Sequence, residues 1–248
     1  MSRYPAVLLL SSLSIVTTAL GVAIALWTSS RDRAVAAGIG FSVGIMVLVS
    51  AAELIPEAVR EVGLGAASIA ATLGVGLVWS AHLVIPHTHL VRESGLGRMV
   101  VVRSAYLVVL GLILHDVPEG FAMANAYVVT PELGVLTALA IALHNLPEEF
   151  VMAVPATIMR SKHFLFGAAV LSALAEPFGA VVGLVAVDLA PSLNGWFLAF
   201  AAGAMLFVSI HELIPMARRH GHPGLFAGGM MASLPTYLLL AFAASGIG

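Results

Sequence analysis

Eight stretches of the chain are almost unbroken apolar runs: 5–27, 34–58, 63–86, 100–126, 133–159, 164–188, 194–216 and 224–247. Each reaches the roughly 20 residues that an α-helix needs to cross the hydrocarbon core of a bilayer. The breaks between them are short and polar, as in Ser29-Ser30-Arg31-Asp32-Arg33, Arg60-Glu61, Pro131-Glu132, Arg160-Ser161-Lys162, Pro191-Ser192 and Arg218-Arg219. The pattern predicts an all-α membrane protein of eight transmembrane helices, a single polytopic domain over 1–248. Its longest connection is a loop over 87–99.

Basic residues orient the bundle. Arg31, Arg33, Arg92, Arg98, Arg103, Arg160, Lys162, Arg218 and Arg219 lie in or beside the odd-numbered connections, and only Arg3 and Arg60 lie on the other side. Positive charge is retained in the cytoplasm. The prediction is a multi-pass protein of the plasma (inner) membrane with both termini outside. The first run lacks a charged leader and a small-residue cleavage site, so it reads as a retained span rather than a signal peptide.

Composition closes off other classes. Hydrophobic residues make up 60% of the 248 and charged ones only 10%, with a mean hydropathy of +1.04; a soluble domain carries about 25% charged residues. A net charge of −2 gives no basic footprint for nucleic acid. The absence of cysteine removes disulfides and thiolate metal sites.

Two internal repeats stand out. His115-Asp-Val-Pro-Glu-Gly-Phe-Ala-Met-Ala returns as His144-Asn-Leu-Pro-Glu-Glu-Phe-Val-Met-Ala. The run from Gly44 to Ala58 returns as Gly203 to Ala217, with nine of fifteen positions identical. In the predicted topology spans 2 and 7 run in opposite senses, as do spans 4 and 5, so both repeats are inverted. Inverted repeats with Pro-interrupted helices point to a secondary transporter with a site near the midplane.

The residues placed there fit that role. Span 4 carries His115, Asp116 and Glu119, and span 5 carries His144, Asn145, Glu148 and Glu149. At about 1.5 Å per residue both groups reach mid-membrane. Span 6 adds Glu176, followed by Pro177. An ionisable group at the bilayer centre costs at least about 2.5–3.5 kcal/mol, and no Lys or Arg lies at that depth. His115 and Glu119 share a helix face at i and i+4, and His144 and Glu148 repeat the arrangement. Asp116 and Asn145 point about 100° further round. Pro118 and Pro147 lack an N–H, which frees the carbonyls of Leu114 and Leu143. Imidazole, carboxylate, amide and carbonyl together suit a first-row divalent ion, Zn(II) or Fe(II) above all. Two half-sites plus Glu176 hold one ion or a carboxylate-bridged pair. Glu149 lies off the His144–Glu148 face and is expected to contact another span.

At these motifs the chain resembles the ZIP (Zrt/Irt-like protein) family of divalent-metal transporters. The family pattern His-Asn-x-Pro-Glu-Gly is matched by His115-Asp116-Val117-Pro118-Glu119-Gly120, and His-Glu-x-Pro-Glu-Gly by His144-Asn145-Leu146-Pro147-Glu148-Glu149. The resemblance implies a ZIP-like helix bundle with a transport site, often binuclear, built from spans 4, 5 and 6. Its metal ligands would be His115, Asp116, Glu119, His144, Asn145, Glu148 and Glu176. It also implies metal movement toward the cytoplasm by an elevator-like shift of one bundle. Three departures are visible: Asp116 stands where Asn is usual, Asn145 where an acid is usual, and Glu149 where Gly is usual.

Further polar residues mark the two mouths. Glu53 and Glu57 near the outer end of span 2, and His211 and Glu212 near the inner end of span 7, read as relays for cations. His82, His87, His89, His220 and His222 gather on the cytoplasmic side, where a His cluster binds metal. Glycines such as Gly74, Gly76, Gly228 and Gly229 allow close helix packing. The expected cargo is Zn2+, with Fe2+, Mn2+ and Cd2+ as further candidates. Divalent ions and membrane lipid are the expected partners, a homodimer is allowed, and no organic cofactor is expected. A membrane metalloenzyme and a proton-coupled carrier of another solute remain as alternatives. Against the first, neither Glu-x-x-His nor His-Glu-x-x-His occurs, and Pro215 stands where His211-Glu212 would need a second histidine.

Overall fold

The apolar runs fold as helices. The structure is a computed structural model that describes residues 3–28, 31–84, 98–159 and 161–246, and no strand occurs among them. In chain order the helices are α1 (Arg3–Ser11), α2 (Leu13–Trp27), α3 (Arg31–Leu48), α4 (Ile55–Val84), α5 (Arg98–Val129), α6 (Pro131–Met159), α7 (Lys162–Leu189), α8 (Asn194–Val208), α9 (Ile214–Arg219) and α10 (Pro223–Ser245). Lipid offers a backbone no hydrogen-bond partner, and helices satisfy theirs internally. By length and apolarity six described segments suffice to cross a membrane: 3–27, 32–81, 131–153, 162–189, 191–219 and 223–245. The second is 50 residues long. It bends back at Gly63, whose φ of 79° and ψ of 159° lie where only glycine is comfortable. The predicted 87–99 loop, with His87 and His89, falls outside the described residues but for its last two.

The long repeat carries a backbone signature. Wide π turns occupy Val49–Leu54 and Ser209–Leu213. In the first, the Ile55 N–H reaches back five residues to the Ser50 carbonyl, and in the second Ile214 does the same to Ser209. The cause lies one residue on. Pro56 and Pro215 cannot donate to the preceding turn, and their rings crowd it; the extra residue in a π turn relieves the clash. Glu53, His211 and Glu212 thereby sit in widened turns.

Packing follows the same symmetry. The main helix pairs are α4 with α8 and α3 with α10, then α5 with α7 and α2 with α6. Exchanging spans 2 and 7 together with the spans that follow them, 3 and 8, turns the first pair into the second, and exchanging 4 and 5 together with 1 and 6 does the same for the other two. At the crossings a Cβ on Gly203 would strike the Ala71 carbonyl, and one on Gly44 the Met230 carbonyl and Ser233. The two glycines are equivalent by the long repeat, and the two carbonyls they meet stand at the same offset along the chain. Helix association in lipid draws on such close approach, because burying leucine against protein rather than lipid gains little. Gly74 and Gly229 also meet neighbouring backbone, whereas Gly76 and Gly228 face open space.

The inner helices α3, α5, α6 and α8 hold the core, including Ile39, Ile45, Met46, Met123, Ile141, Leu198 and Met205. Outward faces of α2, α4, α7 and α10 present Ile15, Leu73, Phe178 and Phe242. Polar contacts tie chain ends together: Arg3 and Tyr4 bond Asp188, Asp32 meets His220 at 2.8 Å, and Asn194 bonds Glu61.

Candidate metal centre

The two His-x-x-Pro-Glu segments lie side by side on α5 and α6, facing α7. His115, Glu119, His144, Glu148 and Glu176 are all buried, none more than 4% exposed. Glu119 is the hub: its Oε1 lies 2.8 Å from His144 Nε2 and 2.9 Å from His115 Nε2. His115 Nε2 also stands 3.4 Å from Glu148 Oε2. Donor atoms of His115, His144 and Glu148 converge within 4.8 Å of one another.

The backbone holds His144 in one tautomer. Its Nδ1 lies 3.0 Å from the Ala140 carbonyl, which only accepts, so Nδ1 holds the ring proton. Its own carbonyl accepts from Ser42 Oγ at 2.7 Å, which pins the segment to α3. In the neutral form the ring then turns its Nε2 lone pair toward a carboxylate oxygen. Two lone pairs facing each other across 2.8 Å need a positive particle between or beside them. Around them His115 Nε2, Glu119 Oε2 and both Glu148 oxygens are buried without a hydrogen-bond partner. Leaving such groups unmet costs about 1–3 kcal/mol each, more when charged. Among the described residues no Lys or Arg is buried. Carboxylates beside a histidine whose other ring nitrogen is held by a carbonyl fit a divalent ion such as Zn2+.

The other predicted ligands take separate places. Asn145 donates from Nδ2 to Glu176 Oε2 at 3.2 Å, joining α6 to α7. Asp116 instead accepts from Ser172 Oγ at 2.6 Å. Glu149 contacts other spans, as its angle predicts: its Oε1 meets Ser172 Oγ at 2.5 Å and Thr18 Oγ1 at 2.8 Å. The repeat explains how a Glu fits there. Gly120, its counterpart on α5, lets the α7 backbone at Glu176 approach. Beside Glu149 the missing side chain is on the partner helix instead, where a Cβ on Gly21 would overlap Glu149 Cβ.

The mouth residues lie apart from this cluster. Glu53 accepts from Tyr237 OH, and Glu57 pairs with Arg60. His211 stacks on Phe207 with ring centroids 4.8 Å apart. Glu212 approaches α5 at Gly111. Sequence reasoning passed over Thr18, Ser42 and Ser172. Ser172 had a signal, being a polar residue one turn before Glu176 in the apolar middle of α7.

A multi-pass helical protein whose buried centre is a histidine–carboxylate donor set, with no cysteine and no buried basic side chain among its described residues, defines a membrane protein that handles metal ions. Comparison narrows the class. The family model described as ZIP zinc transporter matches residues 87–248. A zinc transporter ZupT from Chlorobium phaeovibrioides is 36% identical, with 95% of this chain and 96% of the relative covered. Another from Corynebacterium efficiens is 37% identical over 84% and 87%. A zinc transporter GufA from Myxococcus xanthus is 38% identical over 66% of this chain and 64% of its own. The chain belongs to the ZIP family. That family consists of transporters, which removes the membrane metalloenzyme left open by the sequence.

Proposed function

We propose that the protein carries divalent metal ions, Zn2+ first and Fe2+, Mn2+ or Cd2+ less selectively, across the membrane into the cytoplasm. The observation that carries this reading is the Glu119 carboxylate shared by His115 and His144, with Glu148 closing the group and unpartnered lone pairs throughout. His115, Glu119, His144 and Glu148 are the core ligands of the cargo, and Asp116, Asn145 and Glu176 are further ones beside them. Glu53 and Glu57 gather ions at the outer mouth. His211 and Glu212 receive them at the inner one, and His87 and His89 take them up in the cytoplasm.

Eight crossings with both termini outside are part of the proposal, and paired chain ends support it. Arg3 with Asp188 and Glu61 with Asn194 join segments assigned to the outer side, while Asp32 with His220 joins two assigned to the inner. The break at Gly63 supports two crossings within 32–81. Matching π turns and symmetric helix pairs support the inverted repeats. A homodimer is the assembly proposed. The test is uptake of radiolabelled Zn2+ into proteoliposomes by the intact protein, His115→Ala and Glu148→Ala. Saturable uptake that collapses in both variants is expected. Absence of Zn2+, Fe2+ and Mn2+ uptake by the intact protein would overturn the reading.

A further inference from the structure

The histidine cluster is walled on one side by α3, a helix that carries none of its ligands. Gly38 and Ser42, one turn apart on α3, lie against the His144–Pro147 stretch of α6. A Cβ on Gly38 would come within 2.7 Å of Pro147 Cβ, and Ser42 Oγ donates to the His144 carbonyl at 2.7 Å. Ser42 is fully buried. A hydroxyl inside a helix commonly bonds a carbonyl of its own preceding turn, and those of Ser11, Thr137, Ser209 and Ser233 do so. Ser42 gives its one hydrogen to another helix instead.

The fold does not require this contact. In an α-helix the His144 carbonyl already receives the Glu148 N–H, so the hydroxyl fills its second lone pair. At the offset of the long repeat, Ala201 on α8 stands where Ser42 stands on α3, equally buried and without a hydroxyl. Their neighbours Phe41 and Phe200 are identical. Thus α8, which packs on the His115 helix α5, has a methyl where α3, packed on α6, has a hydroxyl. Burial gives the difference a consequence. With His115, Glu119, His144 and Glu148 no more than 4% exposed, an ion reaches or leaves them only when the packing around them parts. The main helix pairs leave α3 with α10 on one side of the Ser42 contact and α6 with α2 on the other. We propose that Ser42 is a positioning residue of the transport site: its hydrogen bond holds His144 in the closed arrangement and breaks whenever the site opens. The proposal rests on the transport reading and deepens it.

The test is the concentration dependence of Zn2+ uptake into proteoliposomes by the full-length protein and by Ser42→Ala. Losing one hydrogen bond of the closed arrangement should raise the maximal rate and KM together, each about two- to tenfold, with their ratio little changed. Damage to the fold would lower the rate instead. Ser42→Cys, a weaker donor, should fall between parent and Ser42→Ala, and carries the comparison should Ser42→Ala fail to fold. Ser233→Ala, which loses a hydroxyl bonded within its own helix, should match the parent. A folded Ser42→Ala with the parent's maximal rate and KM, or with a lower rate, would overturn the role of Ser42 and leave the transport reading standing. A parent protein that takes up no Zn2+ would overturn both.

Discussion

Gly120 is where the fold and the metal centre can be separated by one methyl group. A Cβ at this position would fall on the carbonyl of Glu176 and the amide of Ala180, both backbone atoms of α7. Backbone cannot rotate away as a side chain does, so Gly120→Ala must push α5 from α7. Alanine gains roughly 1 kcal/mol over glycine inside a helix, while overpacking costs about 1–3 kcal/mol and occasionally more. A net loss of up to about 2 kcal/mol is expected. In a chain of this size each kcal/mol moves Tm by about 2–4 °C, so the midpoint in detergent should fall by up to about 8 °C. The same displacement draws Glu119 away from Glu176 and its neighbours. Ligand distances tolerate only about 0.2 Å, so Zn2+ affinity by calorimetry should fall about 10–100-fold, as when the support of a ligand is lost. Gly167→Ala and Gly76→Ala are the controls. They lie in helices with nothing within 4 Å of the new Cβ, and should leave Tm unchanged or higher. A Gly120→Ala protein as stable as the parent, with unaltered Zn2+ affinity, would refute the reasoning.

Four further outcomes are expected. Glu119→Gln removes the carboxylate between the two histidines and should lower Zn2+ affinity at least tenfold while the far-ultraviolet circular dichroism stays helical; equal affinity would remove Glu119 from the ligand set. Zn2+ uptake should fall as pH drops from about 8 to about 5.5, because protons compete for imidazole and carboxylate, and a flat profile would count against these ligands. Gly63→Ala, forced into a region costing about 1–3 kcal/mol, should lower Tm, whereas Gly65→Ala, in open space, should not. Burial raises the pKa of Glu61, so the folded state binds its proton more tightly than the unfolded one. Its stabilising effect is present below the ordinary carboxylate range and is lost as pH rises through the folded value. Glu61→Gln should therefore flatten the dependence of Tm on pH from the ordinary carboxylate range upward.

What the sequence made legible is what a membrane makes expensive. His115, Glu119, His144, Glu148 and Glu176 interrupt apolar runs, and their i, i+4 spacing places each pair on one face, as the buried cluster has it. The long repeat was equally visible. The π turns were not: Pro56 and Pro215 announced a disturbance, but whether a helix kinks, breaks or widens depends on its neighbours. The partners of Asp116 and Glu149 were also hidden. Thr18 lies 131 residues from Glu149, and a threonine in a span is ordinary until the fold sets a carboxylate beside it. Asp116 and Asn145, equivalent by repeat, diverge because an amide can donate to Glu176 and a carboxylate cannot.

The pairing of α4 with α8 sets the order in which the protein can be made. Val84 ends the one and Asn194 begins the other. The chain between them is roughly 110 residues, so at about 5–20 residues per second of synthesis α4 waits roughly 5–20 seconds in the bilayer before its partner emerges. In that interval Gly74 and Ala71 lack the α8 backbone that they meet in the finished fold. The helices of the N-terminal half, α3 and α4, each find their main companion in the C-terminal half, in α10 and α8. Neither half is a unit that can finish folding alone. Because α10 packs on α3, it closes the first part of the bundle, so a misassembled chain becomes distinguishable from an unfinished one only once α10 has emerged.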